Sequence, residues 1–514
     1  MKYTKLLAIS AAATSLVSCA KKEKPNILFI MTDDHTTQAM SCYGGNLIDT
    51  PGMDRLASEG MMYNNCYATN ALSGPSRACI LTGKFGHVNG FKENTGAFDS
   101  SQQTFPKILS ENGYQTGIVG KWHLVSEPMH FDFWSILPGQ GDYYSPDFIE
   151  NGNKIREEGY VTHVITRKAK EFIARRDKSK PFCLMVHHKA PHRNWMPAPE
   201  HIGRFADTVF PEPDNLFDDY QNRGRAAKEQ DLSISKTLTE DWDLKLPDRE
   251  TLMKNKNSGL SRVYSRMPEE VQAKWDSVYA KRAADYYGVE RSEKELISWK
   301  YQQYMQDYLA TVLSVDESVS DLLDYLEEIG ELDNTLVVYT SDQGFFLGEH
   351  GWFDKRFMYE ECQRMPLLMR YPKLMKPGSK SDAICMNVDF APTFLDFAGV
   401  EVPEDIQGQS LLPIIKADGK VVDGWPQIAY YHYYEYPAEH SVKRHYGIRT
   451  ERYKLIHFYN DIDEWELYDL QTDPREMNNI YGKEGTEAIT AELLKKLKAV
   501  QEKYNDPILE EYPL

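Results

Sequence analysis

Asn26–His35 reads NILFIMTDDH, an unbroken apolar run through Met31 that ends in a threonine, two adjacent carboxylates and a histidine. A strand with one wet face alternates apolar and polar residues, so an unbroken run marks a strand covered on both faces, as in a parallel sheet flanked by helices. Runs of the same kind lie at 115–119, 182–186 and 335–340, each followed by a polar cluster. Between them come helical patterns such as 315–330, with apolar residues at helical spacing and Gly330 as the stop. Strands alternating with helices predict an α/β fold. It has a large central mixed, mostly parallel sheet sandwiched by helices, with polar residues gathered at the carboxyl ends of the strands.

The length of 514 residues exceeds one small core and predicts a large domain with a smaller companion. The large domain is expected over 24–415, with a charged, helix-prone insertion at 214–300 and a linker from Pro403 to Lys420. The segments 427–434, 446–449, 453–459 and 465–470 read as short antiparallel strands, followed by an amphipathic helix over 486–504. They predict a small α+β subdomain over 426–514.

A formal net charge of -18 argues against a nucleic-acid partner, which needs clustered Lys and Arg. The N-terminus has two early lysines, a short apolar run and then Leu16-Val17-Ser18-Cys19. That run is too short to span a bilayer and reads as a signal peptide. Its end resembles a bacterial lipobox, so residues 1–19 are expected to be a leader with Cys19 lipidated as a membrane anchor; a plain secretory signal is the alternative. The other six cysteines are scattered without CxxC spacing and suggest no metal-thiolate site.

Asp33 and Asp34 at a strand end repel one another unless a cation or a proton sits between them. The pattern recurs at Val338–Gly344, where Asp342 is followed by Gln343. Either pair alone also serves as a turn or helix cap. Together, at the ends of strands in one sheet, they make an oxygen-only set suited to Ca²⁺ or Mg²⁺. Ser73-Gly74-Pro75-Ser76-Arg77 opens a helix that runs to Gly83, where a small hydroxyl residue serves as an N-cap or as a reactive group at a positive helix end. A second, cationic set holds Arg77, Lys121 and His123 in GKWHL, His192 in HHKAPHRNW and Lys355 in GWFDKRF. Donors of this kind around a divalent cation suit a sulfate or phosphate centre.

At these residues the sequence resembles the type I sulfatases of the alkaline phosphatase superfamily. Their signature of Cys or Ser, any residue, Pro, any residue and Arg is matched by SGPSR followed by LTGK. PNILFIMTDD, GYQTGIVGKWHL, APH, LDNTLVVYTSDQGFFLGEHGWFDK, DFAPTFLDFAGV and WELYDLQTDPREMNN match in order almost end to end, outside 214–300.

The resemblance implies an alkaline-phosphatase-like fold and a sulfuric ester hydrolase. Ser73 would be oxidised by a serine-type maturase to formylglycine, whose hydrate attacks sulfur, while Arg77 holds it in place. Asp33, Asp34, Asp342 and Gln343, with the hydrate at Ser73, would bind one Ca²⁺. Many relatives carry Asn or His at the position of Gln343. Lys121 and Lys355 would draw charge from the sulfuryl oxygens, and His192 or His123 would protonate the leaving alcohol. HHKAPHRNWMPAPEHIGRF with GWFDKRF is similar to bacterial enzymes that remove the 6-sulfate of N-acetylglucosamine in heparan sulfate, keratan sulfate or mucin. Asp354 and Arg356 would grip sugar hydroxyls and His445 would close the pocket, with Trp195, Trp352 and Tyr359 as candidates to stack on a sugar face.

Three alternatives stay open from the residues. These are a sulfatase for another position, such as a 2-sulfated uronate or galactose 6-sulfate, a phosphatase or phosphodiesterase using unmodified Ser73, and an inactive glycan-binding protein on the same scaffold. No DxHxxxH run of the two-zinc phosphatases occurs, and no expected catalytic position is lost. Lys21-Lys22-Glu23-Lys24 after Cys19 lacks an acidic run, so the expectation is a lipid anchor in the periplasm of a Gram-negative, Bacteroides-like bacterium.

Overall fold

The computed structural model describes residues 24–255 and 258–514. The expected leader, the lipidated Cys19 and the basic run that follows it to residue 23 lie outside the described residues.

Leu28 and Ile30 enter one apolar cluster while Ile27, Phe29 and Met31 enter another, all fully buried. This alternation through the apolar run 27–31 is what two covered faces require. The strand Asn26–Thr32 is the hub of a 10-stranded sheet. In spatial order the sheet runs Ser379–Ser381, Met61–Tyr63, Leu367–Arg370, Thr335–Ser341, Asn26–Thr32, Phe182–His187, Gln115–Lys121, Phe133–Leu137, Asp147–Glu150 and Asn153–Arg156. The central five are parallel. Leu367–Arg370 runs antiparallel to its neighbours on one side, as does Asp147–Glu150 on the other, so the sheet is mixed at both margins.

The helix expected over 315–330 is one 36-residue element, Glu293–Glu328. Ser292 starts it with a reciprocal cap to Glu295. Its early turns carry few apolar residues, and tertiary packing supplies what the pattern lacks: Tyr301, Tyr304 and Tyr308 are buried. The insertion boundary at residue 300 therefore falls inside a continuous helix. The stretch read as a linker, 403–420, contains the helix Leu412–Lys416, whose Ile414 and Ile415 are buried in the main core.

The C-terminal strands are Ile428–Tyr433, His445–Thr450, Tyr453–Phe458 and Glu464–Asp469, paired antiparallel in that order. The helix Glu487–Tyr504 covers one face through Leu493, Leu497 and Tyr504. The other face packs against the 352–362 region of the large sheet's loops, through Tyr431, Tyr433, Phe357 and Met358.

Candidate active site

Four parallel neighbours deliver their carboxyl ends to one place. Backbone bonds stitch the chain there: His188 N to Met31 O (2.8 Å), Asp342 N to Thr32 O (3.2 Å) and Asp33 N to Ala190 O (3.4 Å). In an open parallel sheet this edge is where ligands bind. Asp33 and Asp34 follow the hub strand, Asp342 and Gln343 follow Thr335–Ser341, Lys121 ends Gln115–Lys121, and Lys189 and His192 follow Phe182–His187.

Ser73 begins the helix Ser73–Thr82, and its Oγ donates to Asp33 Oδ1 at 2.8 Å. Gly74 is required next to it, because a Cβ would stand 2.6 Å from Asn94 Oδ1 and 2.7 Å from the Phe91 ring. Asn94 Oδ1 instead accepts the Gly74 N–H at 3.1 Å. Gly120 is required before Lys121 for a stronger reason: its φ is +105° and a Cβ would meet the His187 carbonyl oxygen.

The carboxylates are neutralised in an orderly way. Asp33 pairs directly with Lys121, and Asp34 Oδ2 accepts from Lys355 Nζ at 2.7 Å. Arg77 donates to Asp342 Oδ2 from Nε and Nη2, at 3.1 and 3.0 Å. Its remaining Nη1 reaches the Lys121 carbonyl at 2.9 Å. Burial, with Asp342 and Asp354 near, pushes Asp34 up to about 6 against the pull of Lys355. Against the cost of burial, Asp34 and Asp354 hold the Lys355 ammonium above its ordinary value.

The oxygen set fits a calcium ion. Gln343 Nε2 donates to Asp34 Oδ1 at 2.5 Å, which turns Oε1 away, and Oε1 is buried with no hydrogen-bond partner. A buried amide oxygen left so is costly unless an electropositive group meets it. With Asp33, Asp34 and Asp342 it makes four hard donors.

Two histidines border the set. His192 Nε2 lies 3.8 Å from Asp34 Oδ2, and its Nδ1 donates to the Arg193 carbonyl at 2.7 Å. Burial, then Lys121, Lys355 and Lys189, push its imidazole well below the usual range. His123 meets Gln140 at 3.1 Å, and Gln140 Oε1 accepts from Lys121 at 2.5 Å. Burial and Lys121 press His123 down to about 2. Asp34, His123, Asp354 and Arg356 hold left-handed φ of 69°, 56°, 73° and 94°. Such strain costs about 1–3 kcal/mol per residue and persists where the surroundings impose it, as at functional sites.

The structure brings Ser73, Arg77, Lys121, His123, His192, Lys355, Asp33, Asp34, Asp342 and Gln343 together. Asp354 and Arg356 stand beside them as a direct ion pair. His445 is placed differently from the expectation. Its ring is buried among Tyr431, Tyr433, Phe357 and Phe458, and its Nδ1 donates to the Lys443 carbonyl at 2.8 Å. This aromatic packing encloses His445, and His440 is the histidine that meets Asp354, at 3.5 Å. Trp195, Trp352 and Tyr359 are fully buried in aromatic clusters and present no exposed ring face.

Sequence reading missed Lys189, Gln140, Asn94, Glu439 and His440. Lys189 stood inside the HHKAPH stretch already singled out, where a lysine at a strand's carboxyl end was the available signal. Glu439 bridges Arg356 (3.4 Å) and Arg193 (3.8 Å) from a loop far along the chain, and no local spacing announces it.

Residues 25–400 match the family model Sulfatase, and residues 348–503 match the model N-sulphoglucosamine sulphohydrolase, C-terminal. An N-acetylglucosamine-6-O-sulfatase of Bacteroides thetaiotaomicron is 66% identical over 97% of this chain and 91% of its own. The human N-acetylglucosamine-6-sulfatase is 29% identical over 77% of this chain and 65% of its own. A solved structure described as a complex with its substrate D-glucosamine-2-N,6-O-disulfate superposes with a TM-score of 0.93. It is 68% identical and covers 94% of this chain and 99% of that one.

Proposed function

The chain belongs to the sulfatase family, and from that premise we propose that it hydrolyses the 6-O-sulfate ester of N-acetylglucosamine or a related glucosamine. The observation that carries the reading is the placement of Ser73 Oγ on Asp33 at 2.8 Å, inside a ring of Lys121, Lys355, Arg77 and His192. The sequence identity to a 6-O-sulfatase supports the position of the ester.

The reaction consumes water and releases an alcohol and hydrogen sulfate. Asp33, Asp34, Asp342 and Gln343 would hold calcium. Bound calcium would supply Lewis acidity toward the sulfuryl oxygens, and formylglycine at Ser73, as its hydrate, would supply a nucleophilic hydroxyl oxygen and a second hydroxyl on the same carbon.

This chain's own residues do the rest. Asp33 orients the nucleophile through its bond to Ser73 Oγ. Lys121 and Lys355 present two ammonium groups to charge growing on sulfuryl oxygens, in a buried setting where fixed cations act strongly. Arg77 keeps Asp342 and the Lys121 backbone in register. The Arg193 carbonyl takes the Nδ1 hydrogen of His192, so Nε2 is the nitrogen left facing Asp34. A proton placed on Nε2 is held weakly and leaves readily for the departing oxygen. Asp354, Arg356 and His440 flank this centre as hydroxyl-binding groups for the sugar.

Export and lipidation at Cys19 would place the enzyme in the periplasm, a reading supported by the short apolar run before that cysteine.

The test is release of sulfate and phosphate, with Ca²⁺, by protein made in a host carrying a serine-type maturase. The panel holds N-acetylglucosamine 6-sulfate, galactose 6-sulfate, a 2-sulfated uronate disaccharide and a phosphomonoester. Release mainly from the first compound is expected. Phosphate release without sulfate release would overturn the reading.

A further inference from the structure

Three lysines lie at this edge of the sheet, and only two of them have a carboxylate. Lys121 pairs with Asp33 and Lys355 with Asp34. Lys189 is 4% exposed, and among the described residues its ammonium makes no hydrogen bond or ion pair. Its one close partner is the Tyr143 ring, 4.7 Å from Nζ to the centroid.

That ring is fixed in the site: Tyr143 OH donates to the His192 carbonyl at 2.6 Å. The charge of Lys189 is felt across the centre, since it depresses His192, His123 and Lys121. The carboxylate that most favours the Lys189 charge is Asp142, and it is already taken. Arg262 reaches Asp142 Oδ1 at 2.8 Å and Arg266 reaches Oδ2 at 2.8 Å. Burial lowers Lys189 to about 8 with Asp142 and Asp34 opposing, which leaves it largely charged at neutral pH.

A buried ammonium held only by an aromatic face, beside two lysines already committed to carboxylates, is poised for an anionic ligand. The sulfate ester at the reacting centre is served by Lys121 and Lys355. We infer that Lys189 forms a second anion subsite in the substrate pocket, binding a sulfamate or carboxylate oxygen that the saccharide carries in addition to its 6-sulfate. This inference rests on the 6-sulfatase reading. It makes Lys189 a specificity residue, in which the cost of leaving its ammonium unpaired discriminates against saccharides lacking the second anion.

The experiment compares kcat/KM of the wild type, Lys189→Met and Lys189→Arg on three substrates: N-acetylglucosamine 6-sulfate, glucosamine 2-N,6-O-disulfate, and a uronate-linked N-acetylglucosamine 6-sulfate disaccharide. A charge-assisted hydrogen bond lost to a buried partner corresponds to a fall of about tenfold or more. Lys189→Met is expected to show that fall on the disulfate or on the uronate disaccharide over and above any loss on the singly charged sugar, with Lys189→Arg recovering part of it. The substrate that suffers identifies the sulfamate or the carboxylate as the bound group. An equal loss on all three, or no loss on any, overturns the inference. Melting temperatures of both variants separate misfolding, which would depress all three substrates and abolish the rescue by arginine. If the wild type releases no sulfate from any 6-sulfated sugar, the 6-sulfatase reading itself fails, and that outcome is distinct from a wild type that is active but insensitive to Lys189.

Discussion

Arg77 and Asp342 form a buried pair in which two guanidinium nitrogens, Nε and Nη2, converge on a single carboxylate oxygen, Oδ2, at 3.1 and 3.0 Å. Oδ1 is left to accept the Asp34 N–H at 3.3 Å and to serve the proposed calcium ion. The arginine thus aims a ligand as well as balancing its charge. Removing one partner of a buried pair costs about 3–5 kcal/mol. Arg77→Met is expected to lose stability on that scale in denaturant unfolding and sulfate release by at least about 100-fold. Arg77→Lys should not restore activity, because a point charge cannot donate both to Asp342 and to the Lys121 carbonyl.

A second buried network supports the pocket wall. Asp307 accepts from Lys245 (2.8 Å), Arg282 (2.7 and 3.0 Å) and Tyr279 (3.1 Å), and Lys245 also holds the Asp243 carbonyl at 2.9 Å. Asp243 in turn grips Arg193 with two 2.7 Å bonds. Asp307→Asn leaves Lys245 and Arg282 without a buried counter-charge, so it should destabilise by about 3 kcal/mol. Because the chain of contacts ends on Arg193 beside Glu439, we expect a raised KM with a smaller change in kcat.

The parallel core was legible because its central strands carry continuous apolar runs such as 27–31, and Asp33, Asp34, Asp342, Lys121 and Ser73 were legible because chemistry sits at strand and helix ends. The four C-terminal strands and the helix after them were readable from alternation and turn residues, within a residue or so at their ends. What was not legible came from distance along the chain. Glu439 and His440 reach Arg356 and Asp354 by a loop in the C-terminal subdomain, and Gln140 joins Lys121 to His123 from beyond the next strand. His445 carried the right residue type for a pocket and was buried in aromatic packing, an outcome that only the tertiary neighbours determine. Trp352 and Tyr359 failed as sugar platforms for the same reason.

Asp389 belongs to the DFAPTFLDFAGV stretch, and its role is structural. It accepts the Met386 N–H at 2.8 Å and the Gln409 N–H at 2.7 Å, joining the strand before it to the segment near 409. Burial raises it from 3.8 to about 6. A folded value above the unfolded one gives stability that is full below about pH 4 and is lost as pH rises through about 6. A two-unit difference corresponds to about 3 kcal/mol. Unfolding of wild type and Asp389→Asn from pH 4 to 7 should show the variant's stability relative to wild type rising with pH and levelling above about 6. A flat difference would remove Asp389 as the source.

Calcium should stabilise the fold through Gln343 and its neighbours. At a concentration 100-fold above Kd a ligand specific for the folded state adds about 2.7 kcal/mol. Chelation is expected to lower the melting temperature and abolish sulfate release, with both restored by Ca²⁺. Gln343→Ala, which removes the buried orphan Oε1, should need more Ca²⁺ for the same shift; an unchanged Ca²⁺ titration would show that Gln343 is not a ligand.

The most direct measurement is sulfate release from N-acetylglucosamine 6-sulfate by the same protein made with and without a serine-type maturase, with the Ser73 peptide followed by mass spectrometry. Activity is expected to track the fraction of Ser73 that has lost two hydrogens, and Ser73→Ala is expected to be inactive in either host. Full sulfate release by protein whose Ser73 is wholly unmodified would contradict that expectation.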